Sequence, residues 1–569
     1  MLGFKNFLME EDGVGVVEMV LIVVVLIGIV VLFKKKLTTL VSDIFNTIKE
    51  RIVRRKASIT VFAALSLMLV AQLLFTLLEA ARHYELQKVL YMNTDTVLES
   101  VFADYCSPLW ETYKILGVRV DDTEGKLCFN NREAQLRGLT LDHLGSKEQK
   151  TLLSGMSLLT AEMTDARYDP YRLLTDQNGV VFQKAVCTYM KKNIAYEMAK
   201  SVYNHYEAVK EVKKDYKNPD EGIADAMDAL KHPEKYETEG AGNSSSRQLK
   251  GEARQGDKTK KEDSGEKATP TENPLETVTE VKKEGVLSLV LPENTKVSGK
   301  SITIEETVSH RSLEKGTMDS YVGTDWYQKV LFYQYLVNYL GNYVEKKQDR
   351  VLEYELEYVL GGKRNDADNL KIVVSELLAM REPLNMASLT ASSQRQSEAM
   401  ALAVMLAGVS ANPAVIEAVK YGILVAWAFA ESVLDVRTLL SGGKITMIKS
   451  DADWTSNVHM IPELLSGWSV AKDCSQGLDY GQYAAILLLF HKGNTLAMRT
   501  MDVEEAYVQT QEGYENFQMD HVLCETELTA TYEFQPVFLG FVSILENFSN
   551  GFRIQNHSGY SYFHGKEGM

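Results

Sequence analysis

The side chains that most often bind metals or act as nucleophiles are scattered along this sequence. Its five cysteines form no CxxC pair, and its ten histidines form no HExxH motif. No GxSxG motif is present either. We therefore predict no catalytic residue, no metal site and no cofactor, and we interpret the cysteines as partly buried thiols. The cysteines are Cys106, Cys128, Cys187, Cys474 and Cys524.

Two polar runs have residue types that could bind a cation or a phosphate. Residues 502–505 (DVEE) have the carboxylate oxygens that a cation needs. A helix N-terminus also favours acidic side chains, because its partial positive charge stabilises them, and we favour that interpretation. Residues 361–364 (GGKR) lack the spacing of a phosphate-binding loop, so we predict that they end a helix.

One further carboxylate lies in an unusual place, inside an apolar run. Glu18 is the only charged residue of residues 14–33, and residues 57–78 form a second run with no charge at all. Each run has about 20 residues, enough to cross about 30 Å of hydrocarbon as a helix. A helix that is apolar on every face over this length is typical of a membrane span. We therefore predict two transmembrane helices.

The distribution of charge separates this N-terminal region from the rest of the chain. Residues 1–78 have nine Lys and Arg against six Asp and Glu, whereas the remainder, with 52 basic and 71 acidic residues, has a net charge of −19. Nucleic-acid binding needs a basic surface that displaces counterions from phosphates. The acidic body therefore argues against a nucleic-acid partner.

The segment between the two apolar runs indicates their orientation. Residues 34–56 have eight Lys and Arg against two acidic residues, and short basic loops stay on the cytoplasmic side. Their apolar positions recur at helical spacing, so we expect an amphipathic helix along the inner membrane surface. The second span then leaves the cell, which makes residues 79–569 extracytoplasmic.

The N-terminal segment has the pattern of a processed pilin. An acidic leader ends at Gly13, the apolar run begins at Val14, and Glu18 is the fifth residue of that run. This order resembles the class III leader of type IV pilins, especially the Flp-type pilins of Tad (tight adherence) systems. The resemblance implies that a prepilin peptidase cuts between Gly13 and Val14. It also implies that Glu18 pairs with the new amino terminus of a neighbouring subunit, and such a partner would offset the cost of a carboxylate in lipid.

The two interpretations disagree about the first span. Pilin processing needs the leader on the cytoplasmic side, which would place the loop 34–56 outside. The charge rule keeps that loop inside. We give more weight to the orientation of the second span, because eight basic residues outweigh the single Lys5 of the leader.

The second apolar run begins a different module. Its pattern comprises residues 54–62 (RRKASITVF), 77–82 (LLEAAR), 98–105 (LESVFADY) and 108–111 (PLWE). It resembles a family of large proteins that Gram-positive bacteria encode with Tad pilus genes, similar to enlarged TadE/TadG minor pseudopilins. The resemblance resumes at residues 326–343, 352–384, 426–440 and 477–502. It implies a long apolar N-terminal helix that carries a globular head.

The predicted fold class is helix-dominated α+β, with transmembrane helices of which the second continues into a helical stalk ending near Pro108. We expect turns at residues 169–170, two strands within residues 285–304 and further strands within residues 525–534. The predicted regions are a leader-like segment (1–13), a Flp-pilin-like helix and basic loop (14–56), a second transmembrane helix and stalk (57–110), a helical extracytoplasmic region (111–236), a disordered linker or insertion (237–285) and an α+β extracytoplasmic domain (286–569).

Together these features predict a structural protein, not an enzyme: a membrane-anchored, minor-pseudopilin-like assembly component of a Tad-type pilus or secretion apparatus. Its expected partners are the lipid bilayer, other pilins or pseudopilins, the pilus assembly platform and the prepilin peptidase. Two alternatives remain open at this stage. The body could be an exported enzyme that the helices anchor, or a surface adhesin.

Overall fold

A 48-residue helix, α1 (Lys56–Ala103), is the longest element of the described chain. The computed structural model describes residue 39 and residues 56–122, 124–144, 159–193, 196–216, 218–236, 273–321, 325–408, 412–538 and 551–563. The predicted long helix is confirmed. Pro108 does not end it, because α1 already stops at Ala103, and Pro108 instead occupies the first turn of the next helix. Proline is tolerated there, since the missing N–H would have no partner within the helix.

The fold is a helix-dominated α+β structure with one small sheet, as the sequence predicts. The other helices are α2 (Ser107–Tyr113), α3 (Asn130–Leu144), α4 (Asp176–Met190), α5 (Tyr196–Asp215), α6 (Pro219–Lys231), α7 (Pro274–Val281), α8 (Val286–Val290), α9 (Trp326–Tyr339), α10 (Glu355–Gly361), α11 (Asp366–Ala391), α12 (Ser393–Ala407), α13 (Pro413–Leu440), α14 (Ile461–Ser466), α15 (Tyr480–Leu488) and α16 (Gly493–Val508). The strands are β1 (Val118–Arg119), β2 (Glu162–Leu173), β3 (Val522–Phe534) and β4 (Phe552–Ser561).

The sheet is organised around strand β3, which pairs with each of the other three strands. β1 and β2 both pair with β3 in antiparallel orientation, and the β2 register runs from Glu162 opposite Glu533 to Leu173 opposite Leu523. The prediction of strands within residues 525–534 is confirmed. The region 111–236, which we predicted as helical, also contains the strands β1 and β2.

Strand β2 was missed because its sequence has two features that disfavour a strand. It contains five charged residues, and it has a proline at position 170, where the sequence predicts a turn. The structure accommodates Pro170 at a register shift between Tyr168 and Tyr171. Strands tolerate proline at such irregularities and on edges, where a missing N–H breaks no regular ladder.

Helix α13 forms the centre of the largest hydrophobic core. Every residue from Gly422 to Leu440 is buried, and the helix packs against α6, α11 and α12. Its apolar character is therefore explained by protein packing rather than by lipid. Helix α12 is only partly buried, since Leu402 is inside while Met405 is exposed.

Two predictions for residues 237–304 are wrong in the part that the structure describes. The predicted disordered segment 237–285 includes α7, whose Leu275 and Val278 are fully buried. The residues expected to form strands contain α8 instead, with Leu289 and Val290 buried. Both helices are short and depend on burial against α13, a long-range contact that local sequence patterns do not report.

The chain divides into two compact units. The first comprises Met1–Gln87, Thr151–Leu159 and Gln535–Phe552, and the second comprises Lys88–Lys150, Thr160–Phe534 and Arg553–Met569. The predicted boundary between residues 285 and 286 does not separate two domains, because β2 and β3 pair across it within the second unit.

Helices α6 and α13 approach each other closely at glycines. A Cβ atom built on Gly422 would lie 2.3 Å from Ala226 Cβ and 3.2 Å from the Gly222 carbonyl oxygen on α6. Neither neighbour is the end of a flexible side chain, so a larger residue would force the two backbones apart.

We predict that Gly422→Val lowers the free energy of unfolding by about 1–3 kcal/mol, because it overpacks the contact between α6 and α13. Urea unfolding of the detergent-solubilised chain, followed by tryptophan fluorescence, measures the change. The matched control is Gly138→Ala in α3, where a Cβ would meet no atom within 4 Å. An equal loss of stability in both variants would contradict the proposed close contact.

Candidate functional site

The first part of α1 presents apolar side chains on every face. Phe62 is 72% exposed, Leu69 67% and Leu73 61%, and the neighbours between them are exposed or half-buried. No face of this segment is covered by the described chain. Among the described helices, only this one is long and apolar enough to cross a membrane. The segment agrees with the predicted second span, whereas the first predicted span, residues 14–33, lies outside the described residues.

The second part of α1 has the opposite environment. Leu90, Val97 and Val101 are fully buried, and Phe102 stacks on Tyr560 of β4 with ring centroids 4.3 Å apart. This part of the predicted stalk therefore lies in a protein core, where its apolar stripe is buried. Polar contacts fix the same face, since Thr94 Oγ1 and the Tyr532 hydroxyl are 2.9 Å apart.

A buried ion pair follows the apolar segment along α1. Arg82 Nη1 donates to Glu79 Oε1 at 2.6 Å and to the Gln535 carbonyl oxygen at 3.1 Å. The other Glu79 oxygen accepts the backbone N–H groups of Val537 (3.1 Å) and Phe538 (2.7 Å). Because each charged group is paired and hydrogen-bonded, the pair is tolerated at low exposure. It ties the chain that leaves β3 to α1.

The residues of the predicted pilin-type processing site are outside the part of the chain that the structure describes. They are Gly13, Val14 and Glu18. All five cysteines are described, and all are free thiols. Burial raises the pKa of Cys106 to about 11 and that of Cys187 to about 12, so these two thiols are poor nucleophiles.

The acidic run 502–505 is not the start of a helix. Helix α16 begins at Gly493, and the run lies within it, buried. Its carboxylates point to separate partners: Asp502 Oδ1 accepts the Ser309 N–H at 2.8 Å, and Glu505 Oε2 accepts Arg311 Nη2 at 2.7 Å. In the described chain, no group of three or more His, Cys, Asp or Glu is arranged to hold a metal ion. The run 361–364 does end a helix, with Gly362 in the left-handed conformation after α10.

Tyrosine hydroxyls and backbone amides hold several buried carboxylates. Glu357 Oε1 accepts the Tyr480 hydroxyl at 2.5 Å, and Glu504 Oε1 accepts the Tyr335 hydroxyl at 2.8 Å. Glu355 Oε2 accepts the Gly341 N–H at 2.7 Å. Burial raises the pKa of both Glu355 and Glu357 to about 7 and that of Glu504 well above its ordinary value. The contact with Glu504 accounts for the burial of the Tyr335 hydroxyl of α9.

A second polar cluster, which the sequence did not reveal, lies beside α13. Its charged members are Glu431 and Asp435 of α13, Arg381 of α11 and Lys449, all with fully buried side chains. Arg381 Nε donates to Asp435 Oδ2 at 2.9 Å, and Lys449 Nζ is 2.5 Å from Asp435 Oδ1 and also contacts Glu431 Oε1. Burial opposes the ionisation of Asp435, but Lys449 and Arg381 outweigh it and lower the pKa of Asp435. The i, i+4 spacing of Glu431 and Asp435 was the only local signal for this cluster.

The raised pKa values predict that stability decreases as pH rises. Glu357 binds its proton more tightly in the folded chain than in the unfolded chain, so its stabilising contribution is complete below the unfolded pKa and is lost by about pH 7. The variant Glu357→Gln mimics the protonated acid. We expect its free energy of unfolding, relative to that of the wild-type chain, to be about 1–3 kcal/mol higher at about pH 8 than at about pH 5.

Urea unfolding at the two pH values tests this prediction, with Glu512→Gln at an exposed position as the control. The control should change the pH dependence little. A pH dependence that is the same in Glu357→Gln as in the wild-type chain would contradict the assignment.

Comparison with known families supports the pilin-like pattern of the N-terminus. Residues 6–53 match the model of the flagellin, Flp1-like, domain, and residues 264–534 match a family of unknown function, DUF5702. No match was found among curated proteins or among solved structures. The Flp-type N-terminus inferred from Gly13 and Glu18 is thereby confirmed at the level of the domain. The chain thus carries a Flp pilin-like domain, which indicates a pilus-related component, and a DUF5702 domain.

Proposed function

We propose that this chain is a membrane-anchored structural component of a Tad-type pilus or secretion apparatus, with a role like that of a minor pseudopilin. The observation that carries the proposal is the Flp pilin-like domain at residues 6–53, followed in the same chain by the exposed apolar segment of α1. Pilin-type subunits assemble through such helices. The TadE/TadG-like resemblance of residues 54–111 supports the same assignment.

In this proposal the prepilin peptidase cuts between Gly13 and Val14, and Glu18 then pairs with the amino terminus of a neighbouring pilin. The basic loop 34–56 stays in the cytoplasm, and the acidic body lies outside the cell membrane. The partners are the bilayer, other pilins or pseudopilins, and the assembly platform. The net charge of −16 favours none of the phosphate contacts that nucleic acids require.

We infer that the protein works by helix packing, without catalytic turnover. Four small residues in the apolar segment would let another helix approach closely in lipid, where packing rather than hydrophobicity drives association. Each of them is exposed or half-buried along α1. They are Ala63, Ala64, Ser66 and Ala71.

N-terminal sequencing of the membrane-extracted protein tests the processing step. We expect the mature chain to begin at Val14, and we expect Gly13→Leu to block this cleavage. Recovery of an uncut chain from cells with an active prepilin peptidase would contradict the proposal. So would normal pilus assembly in a strain that lacks the gene.

Cysteine labelling tests the membrane topology. We expect a cysteine at position 92, where Met92 is 67% exposed, to react with an impermeant reagent from outside, and a cysteine at position 40 to be protected. The double variant Leu69→Arg/Leu73→Arg should prevent position 92 from crossing, since each arginine costs about 3 kcal/mol in the middle of a span.

The control for this experiment is Tyr91→Arg, on an exposed position of α1 beyond the apolar segment. It should leave the labelling of position 92 unchanged. If position 92 is labelled equally in the double variant, α1 does not cross the membrane in the way we propose.

A further inference from the structure

The buried cluster beside α13 contains an amine and a carboxylate in direct contact and shielded from solvent. Lys449 Nζ is 2.5 Å from Asp435 Oδ1, and the side chains of both residues have no exposed surface. The two residues come from different parts of the fold, since Asp435 is in α13 and Lys449 is in the segment after it. Trp454 covers the amine, with its ring centroid 5.9 Å from Nζ.

The two oxygens of Asp435 have different environments. Oδ2 accepts Arg381 Nε at 2.9 Å and Asn385 Nδ2 at 2.8 Å. Oδ1 faces the Lys449 amine, whose Nζ lies 2.5 Å away. The donors at Oδ2 are therefore placed where negative charge would develop if a nucleophile attacked the Asp435 carboxyl carbon, as in an oxyanion hole.

Glu431 supplies the remaining chemical group. Its Oε1 contacts Lys449 Nζ and also accepts the Thr455 N–H at 3.1 Å, while its Oε2 accepts the Ser456 N–H at 2.8 Å. Because backbone amides fix both oxygens of Glu431 and its Oε1 contacts the Lys449 amine, Glu431 is positioned to take a proton from Nζ. Asp435 Oδ1, which faces the amine, is the oxygen that is able to leave.

We propose that Lys449 and Asp435 become joined by an intramolecular amide bond, with Glu431 as the proton carrier. This modification is independent of the proposed function, and it would covalently tie α13 to the segment that follows it. Preorganised contact between the reacting groups lowers the entropic part of the barrier, and exclusion of water favours condensation over hydrolysis.

The step balances without any other reactant. One proton of the Lys449 ammonium passes by way of Glu431 to Asp435 Oδ1, which leaves an amine and a carboxylic acid. The amine lone pair forms the Nζ–Cγ bond. A second Nζ proton passes by the same route to Oδ1, the Cγ–Oδ1 bond breaks, and one water molecule leaves. The product is a secondary amide that keeps Oδ2 as its carbonyl oxygen, and Glu431 returns to its starting state.

Tryptic mapping of the full-length detergent-extracted protein tests this proposal. We expect residues 421–437 and residues 445–472 to be recovered as one branched peptide, lighter than their sum by one water molecule. Trypsin should not cut after Lys449, and fragment ions should place the bond on Asp435. Separate peptides of full mass, with cleavage after Lys449, would show an ordinary ion pair and overturn the proposal, as would a bond to Glu431.

Two variants test the chemistry further. Glu431→Gln removes the proton carrier and should slow the appearance of the branched peptide about 100-fold in a pulse-labelled culture. Lys449→Arg keeps the positive charge but should give no branched peptide, which makes this variant the control for non-specific condensation. Formation of the branched peptide at the wild-type rate in Glu431→Gln would refute the role of Glu431.

Discussion

The structure depends on one constraint, which is that helix α1 needs two different surroundings along its length. Near Phe62 and Leu69 its apolar side chains are exposed on all sides, whereas near Leu90 and Val97 they are fully buried in protein. Exposed apolar surface of that extent is unfavourable in water, so the first part of the helix requires lipid or other apolar helices. Between these parts, the paired charges of Glu79 and Arg82 lie at low exposure and each is satisfied by hydrogen bonds.

Buried carboxylates in the body of the protein are stabilised by two kinds of partner. Beside α9 and α16, carboxylates such as Glu504 are held by tyrosine hydroxyls, and burial raises the pKa of each. Beside α13, the carboxylate of Asp435 is held by Arg381 and Lys449, and its pKa is lowered. The chain has 77 acidic residues against 61 Lys and Arg, and its 28 tyrosines are further hydrogen-bond donors for carboxylates. The second arrangement places reactive partners together without solvent.

The sheet makes the second unit dependent on residues far apart in the sequence. Strand β3 pairs with β1 and β2, which precede it by several hundred residues, and with β4 near the end of the chain. Such long-range pairing has a high entropic cost before any contact forms. The DUF5702 match at residues 264–534 includes β3 but not the two strands β1 and β2 that pair with it.

The sequence by itself determined the features that depend on local composition. Three features were predictable in this way, because each is a property of neighbouring residues. They are the charge-free run at residues 57–78, the continuous helix α1 and the Gly13–Glu18 spacing of a Flp pilin-like domain. Only the tertiary structure decided which distant groups meet. It made β2 a strand despite Pro170, buried the 502–505 run inside α16, and brought Lys449 to Asp435. These outcomes depend on partners that local patterns do not specify, since burial and pairing energies outweigh intrinsic propensity.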